Sequence, residues 1–270
     1  MRLAILLLCT AFSLSSCFEP KEGCLDIAAT NFDAAADKDC CCEYPKLVLT
    51  VNQVYDTLLF RNDSLYPDAQ GRLFRIKSVA FYLSEFELKQ NGSPFNVSDT
   101  LTLATLEGVD TSSRLFINDF LLVRRTPLSF TVGTFRQDGF FELVKFRLGL
   151  SDAAQTVIPS KAPAAHPLAT QPDGLWQGSS TGFIGLQAVV VRDSMSSTPP
   201  DTLRFTRADL GDFFLETSGS FVHPTGFDFP LILTVDYRQL FDGVNWSSHD
   251  ISSWKSQIVS NLSASFTVSQ

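Results

Sequence analysis

Cysteine and histidine are scarce in this 270-residue chain, six and three respectively, so their positions decide which chemistry is open to it. Four of the six cysteines, Cys24, Cys40, Cys41 and Cys42, fall in one short stretch, and none follows. In an oxidising compartment such a cluster reads as a disulfide framework, although four cysteines allow three pairings that sequence alone does not rank. Thiols in the Cys40-Cys41-Cys42 run also have the softness to hold zinc or copper. Asp33, Asp37 and Asp39 lie among them and offer carboxylate oxygens to calcium. With no glycine turn and no closing glutamate, that spacing is not an EF-hand, and solvated turn residues are the default reading.

The remaining metal candidates are His166, His223 and His249, with Met195 the single methionine after residue 1. Imidazole plus a thioether makes a reasonable copper set, yet no two of these histidines sit at a ligand spacing such as i, i+4. Three isolated histidines are also near what composition alone supplies; His166 could equally order its proline-rich surroundings by a hydrogen bond. Catalytic motifs fare worse. Gly178-Ser179-Ser180-Thr181-Gly182 matches the pattern of a nucleophile elbow, but that device needs a strand before the serine and a helix after it, and here an apolar, β-branched run follows. Glu85 and Glu87 share one face of a strand, which does not by itself make a glycosidase. The chain has no phosphate-binding loop, dinucleotide fingerprint or H-E-x-x-H motif, and the reading is non-enzymatic.

The first residues place this chemistry outside the cytoplasm. Arg2 precedes an apolar run over residues 3–12, far too short for a membrane span and of the right length for a secretory signal. Leu14-Ser15-Ser16-Cys17 resembles the lipobox at which bacterial lipoproteins are acylated and cut, which would make Cys17 the lipid-bearing first mature residue. Two or three acyl chains form an essentially permanent anchor, each buried methylene contributing about 0.8 kcal/mol. The expected location is the periplasmic or cell-surface face of the envelope. A formal charge of −8 and a pI near 4.8, with no basic cluster, argue against nucleic acid as a partner.

From Lys46 onward alternation dominates and predicts half-buried antiparallel strands. Leu47, Leu49 and Val51 alternate, as do Val144, Phe146, Leu148 and Leu150, and Phe227, Phe229, Leu231, Leu233, Val235 and Tyr237. Turn signals at Asn91-Gly92, Asp138-Gly139, Asp173-Gly174 and Pro199-Pro200 separate them. About nine to eleven strands follow, giving an all-β fold: an antiparallel β-sandwich with one short C-terminal helix, in which Ile251, Trp254, Ile258 and Leu262 recur at helical spacing behind an Asp250 or Ser248 cap. Residues 156–173, with four prolines, predict a long surface loop. The division is a signal peptide over 1–16, a cysteine-rich segment over 17–45 and the sandwich over 46–270.

Several segments together resemble the family of the methanobactin-associated periplasmic protein MbnP: GRLFRIKSVAFYLSEFEL at 71–88, FRLGL at 146–150, His166-Pro167-Leu168, Gly182-Phe183-Ile184, LTVDYRQLFDG at 233–243 and IVSNLSASFTV at 258–268. The resemblance implies a β-sandwich linked to copper and a di-haem peroxidase as partner. It also implies a tryptophan, here Trp176, that can be oxidised to kynurenine and join histidines, of which His166 and His223 are the candidates, as a ligand. Gln177 and Ser179 stand where the family's tryptophans are expected, which points to a degenerate site. The cysteine segment separately resembles a short repeat of secreted Bacteroidetes-type proteins, which implies that Cys24 pairs with Cys42. Two readings follow: an envelope lipoprotein with a binding role inherited from copper handling, or an interaction module that contacts another envelope protein or a glycan without metal.

Overall fold

The structure is a computed structural model that describes residues 19–195 and 197–270; the signal segment and Cys17 lie outside them. Ten strands of five or more residues carry the fold: β1 (Lys46–Tyr55), β2 (Leu73–Gln90), β3 (Thr100–Glu107), β4 (Asp110–Ile117), β5 (Ser129–Thr134), β6 (Gly139–Leu148), β7 (Leu186–Val191), β8 (Asp201–Phe205), β9 (Phe214–His223) and β10 (Phe229–Asp236). A short eleventh, β11 (Phe266–Ser269), closes the chain. The larger sheet runs β8-β7-β2-β6-β9 and the smaller β5-β1-β10-β11. Alternation explains the assembly, because Leu47, Leu49 and Val51 of β1 and Leu231, Leu233 and Val235 of β10 are fully buried against Phe74, Ile76, Phe81 and Phe146 of the facing sheet.

The expected all-β, predominantly antiparallel sandwich is present, with two departures in detail. β1 and β10, at the centre of the smaller sheet, pair in parallel from Leu47↔Phe229 to Val54↔Asp236. Phe227 is also not part of the β10 pattern; it is 66% exposed, ahead of the first strand residue. The helix forms at Ile251–Ser265, with Asp250 as its N-cap accepting from the Ser253 amide, and buries Trp254, Ile258 and Leu262.

β2 organises everything outside the sandwich. Its first half pairs with β7 and its second half with β6, and residues 79–84 are buried without alternation. A strand buried on both faces must be covered twice. Leu83 faces the main core, while Tyr82 joins a second apolar cluster with Leu103, Phe120, Leu150, Leu168 and Phe183. That cluster is a third layer built by the β3–β4 hairpin and the connection over residues 149–185. Gly149 (φ 96°) and Gly185 lie side by side there: a Cβ on Gly185 would stand 3.3 Å from the Gly149 Cα, so side chains would hold the connection off β2. The proline-rich stretch is thus no free surface loop, since Val157, His166, Leu168 and Ala169 are buried and Val157 bridges Thr105.

Candidate functional site

Each histidine is already committed within the fold. His166 is buried; its Nδ1 accepts the Leu168 amide at 3.1 Å, and its Nε2 lies 3.0 Å from Asn118 Oδ1. An Nδ1 that accepts is unprotonated, so the ring is neutral with Nε2–H donating, and burial lowers its pKa. His223 is also buried, between the Gln137 carbonyl at 2.6 Å from Nδ1 and the Phe227 carbonyl at 2.7 Å from Nε2, and stacks on Phe229. His249 is exposed beside Asp201 at 3.2 Å, and Met195 is 62% exposed. Trp176 packs on Phe183 at the edge of the second cluster. No two of the three histidines share a neighbourhood, and the expected copper set of His166, His223 and Trp176 is not brought together.

The cysteine segment behaves as a small unit. Cys24 and Cys42 form a disulfide across 18 positions, while Cys40 and Cys41 are free. Among the described residues, the grouping of three metal-capable side chains within 4.8 Å is Cys24, Asp39 and Cys42, and in the oxidised state both of its sulfurs are spent on each other. The three aspartates do not converge on a calcium site. Asp33 pairs with Lys21 at 2.6 Å, Asp37 accepts the Lys21 amide and Asp39 the Leu25 amide.

A different site emerges on the outer face of the larger sheet, where a cleft of about 470 Å³ opens between β4, β2 and β6. Its centre is a break in β2. Glu85 has φ 56°, a left-handed conformation that a non-glycine residue adopts only when its surroundings impose it. Asp119 imposes it: its carboxylate accepts the Phe86 amide at 2.7 Å and also the Glu85 amide. The bulge turns Glu85 toward Arg147, which it ion-pairs, and Arg147 continues to Asp212 at 2.9 Å. Arg207 then joins Asp212 at 2.7 Å to Asp152 at 2.9 Å. Arg147 and Lys145 both lie over the Phe214 ring at 4.4 Å.

Electrostatics distinguishes these acids. Asp119 is almost wholly buried, and that burial pushes its carboxyl up to about 6, against the lowering effect of its backbone amides. The Arg147 hydrogen bond holds Asp212 below the usual carboxylate range. Arg114 projects from β4 beside Phe116, 5.7 Å from its ring, and has no ion-pair partner among the described residues. The cleft therefore offers one uncommitted cation, aromatic walls at Phe116, Phe120 and Phe214, and an anchored Glu85–Arg147 pair at its floor.

No protein-family model matches the chain, and no curated protein matches it. Among solved structures it is similar to MbnP from Methylosinus trichosporium. The identity is 13%, the TM-score 0.45, and the match covers 83% of this chain and 98% of that one. No site residue is carried across from that likeness.

The histidine singled out in the sequence does bear on the cleft, but from behind. Asn118, held by His166, precedes Asp119, and Phe120 meets the His166 ring edge-on at 5.7 Å. Asp119, Arg114 and Arg147 were missed as site residues, and only one carried a clear signal: Asp119 interrupts the apolar run from Leu115 to Val123. Glu85 and Glu87 share the outer face of β2, as the sequence predicts, and both line the cleft. Residues 178–182 form the tight connection between Trp176 and Phe183, a turn rather than a nucleophile elbow.

Proposed function

We propose that this chain is a lipid-anchored, non-enzymatic binding module of the bacterial cell envelope, which recognises an extended segment of another envelope protein through the β2–β4–β6 cleft without a histidine-bound metal. The observation that carries the reading is the cleft itself. A pre-formed bulge pinned by Asp119 fixes the floor, aromatic side chains form the walls, and the unpaired Arg114 guanidinium awaits an acidic group. Aromatic residues and arginine are the side chains that concentrate binding energy at protein interfaces. Copper handling, the role implied by the sequence resemblance, would need ligands other than His166 and His223, whose ring nitrogens all face internal hydrogen-bond partners.

The test is a photo-crosslinker at Leu115, an exposed residue lining the cleft, introduced into the chain in intact envelopes. A discrete protein adduct is expected, and its yield should fall about tenfold or more on Arg114→Glu, in keeping with loss of an interface anchor. An absent adduct, or one indifferent to Arg114→Glu, overturns the reading. So does copper that is retained stoichiometrically through dialysis and lost on His166→Ala.

A further inference from the structure

Cys40 and Cys41 take no part in the cleft. Their framing neighbours Cys24 and Cys42 are bonded to each other, leaving two adjacent thiols, one half-buried and one exposed. Adjacent residues hold their Cα atoms about 3.8 Å apart, below the roughly 4.4 Å at which ordinary disulfides begin. A bond between these two would be strained and readily reduced. The segment thus contains one well-placed disulfide, with its Cα atoms 4.8 Å apart, and one pair that is better disposed to stay a dithiol.

The backbone presents that pair firmly. The Cys40 amide donates to the Gly23 carbonyl at 3.0 Å, and the Cys41 carbonyl accepts from Asn31 Nδ2 at 2.7 Å. Cys41 sits at φ 60°, a conformation that an L-residue holds only under constraint. The two side chains neighbour each other. Glu22 and Lys38 are the charged groups beside them, and these are paired with each other at 2.6 Å. Two neighbouring free thiols at an accessible bend form a donor pair that selects soft cations over hard ones.

We propose that Cys40 and Cys41 form a dithiol site for a single thiophilic cation of the Cu(I) or Ag(I) class, separate from the sandwich and its histidines. Loading breaks two S–H bonds, forms two S–metal bonds and releases two protons to solvent, with no change of oxidation state. Affinity therefore rises with pH.

Silver(I) is the probe, because it needs no reductant that would open Cys24–Cys42. The acylated chain, purified from membranes in chloride-free buffer with imidazole as competitor, is expected to retain one Ag(I) per molecule and to release two protons on loading. One equivalent should also protect both Cys40 and Cys41 from N-ethylmaleimide in the unsubstituted protein, a readout independent of any variant's folding. Affinity should fall at least a hundredfold in Cys40→Ser/Cys41→Ser. The proposal is overturned if the unsubstituted chain retains no silver, if the Cys40→Ser/Cys41→Ser chain retains it equally, or if peptide mapping of the purified protein finds Cys40 and Cys41 already oxidised.

Discussion

Asp119 does at the scale of one residue what a strand cannot do alone: its carboxylate takes up backbone amides left out of the ladder where β2 bulges, and so holds Glu85 in its turn. The cost of placing a carboxylate there appears in its titration. The folded chain holds the Asp119 proton up to about pH 6, whereas the unfolded chain releases it near 3.8. Between those values the folded state binds more protons, and this residue's contribution to stability declines as pH rises. The difference corresponds to about 3 kcal/mol as an upper bound. Asp119→Asn removes it, so stability relative to the parent chain should climb across pH 4 to 6.5 and then level off. Urea unfolding of both proteins at stepped pH measures this directly. Curves that run parallel through that window would mean that Asp119 does not titrate as its burial demands. His166 acts on the same segment by purely neutral means, which is why a histidine that looked like a ligand serves to position Asn118 and Phe120.

At the scale of elements, the two-sheet core was legible because alternation over Leu47–Val51, Val144–Leu150 and Phe229–Val235 leaves one solution for which face is buried. The C-terminal helix was legible for a similar reason, its cap and periodic Trp254, Ile258 and Leu262 agreeing. The third layer was not. β3 and β4 are mostly exposed, so period-two patterning fades there, and the cleft depends on groups that meet only after β2, β4 and β6 have been placed beside one another. The Glu107-Gly108-Val109-Asp110 turn, with Gly108 at φ 68°, was the signal that could have found that hairpin. The cysteine segment is a separate element by the same logic of contacts. It meets the sandwich through Arg136, which reaches Asp26 at 3.3 Å and lies over Tyr44 at 3.5 Å, through the Phe135 amide on the Pro45 carbonyl at 2.8 Å, and by close approach of Ile27 and Ala29 to Gly226. A closed loop of this size contributes on the order of 3 kcal/mol to the segment in the chain-entropy model, whereas contacts like those of Arg136 are worth about 1 kcal/mol each. Cys24→Ser/Cys42→Ser should therefore abolish amide-exchange protection at Asp33 and Cys40, while the sandwich melts within about 4 °C of the parent. A larger fall in the sandwich's melting temperature would make the segment part of one cooperative unit.

For the whole molecule the proposed membrane attachment is the property to test, and it turns on residues that precede the described fold. No helix among the described residues is long and apolar enough to cross a membrane, and the surface carries a net negative charge, which repels anionic headgroups rather than binding them. In the lipoprotein reading proposed above, attachment falls to Cys17. A single acyl chain gives marginal binding and two or more give retention, at about 0.8 kcal/mol per buried methylene, so the expected behaviour is close to all-or-none. Cys17→Ser removes the acyl acceptor and, with it, the cleavage that follows acylation. The substituted chain should accumulate either with residues 1–16 still attached or as a soluble exported protein, and should leave the detergent phase on Triton X-114 partitioning, while the parent stays in it. Folding of the sandwich should be unchanged, since every buried residue of its core lies beyond the cysteine segment, and the Leu115 crosslink should weaken only as far as the loss of surface concentration dictates. If Cys17→Ser leaves detergent partitioning untouched, the lipid anchor is wrong and membrane association must reside in the fold itself, where the leucines at 58, 59 and 65, all more than 40% exposed, would be the first place to look.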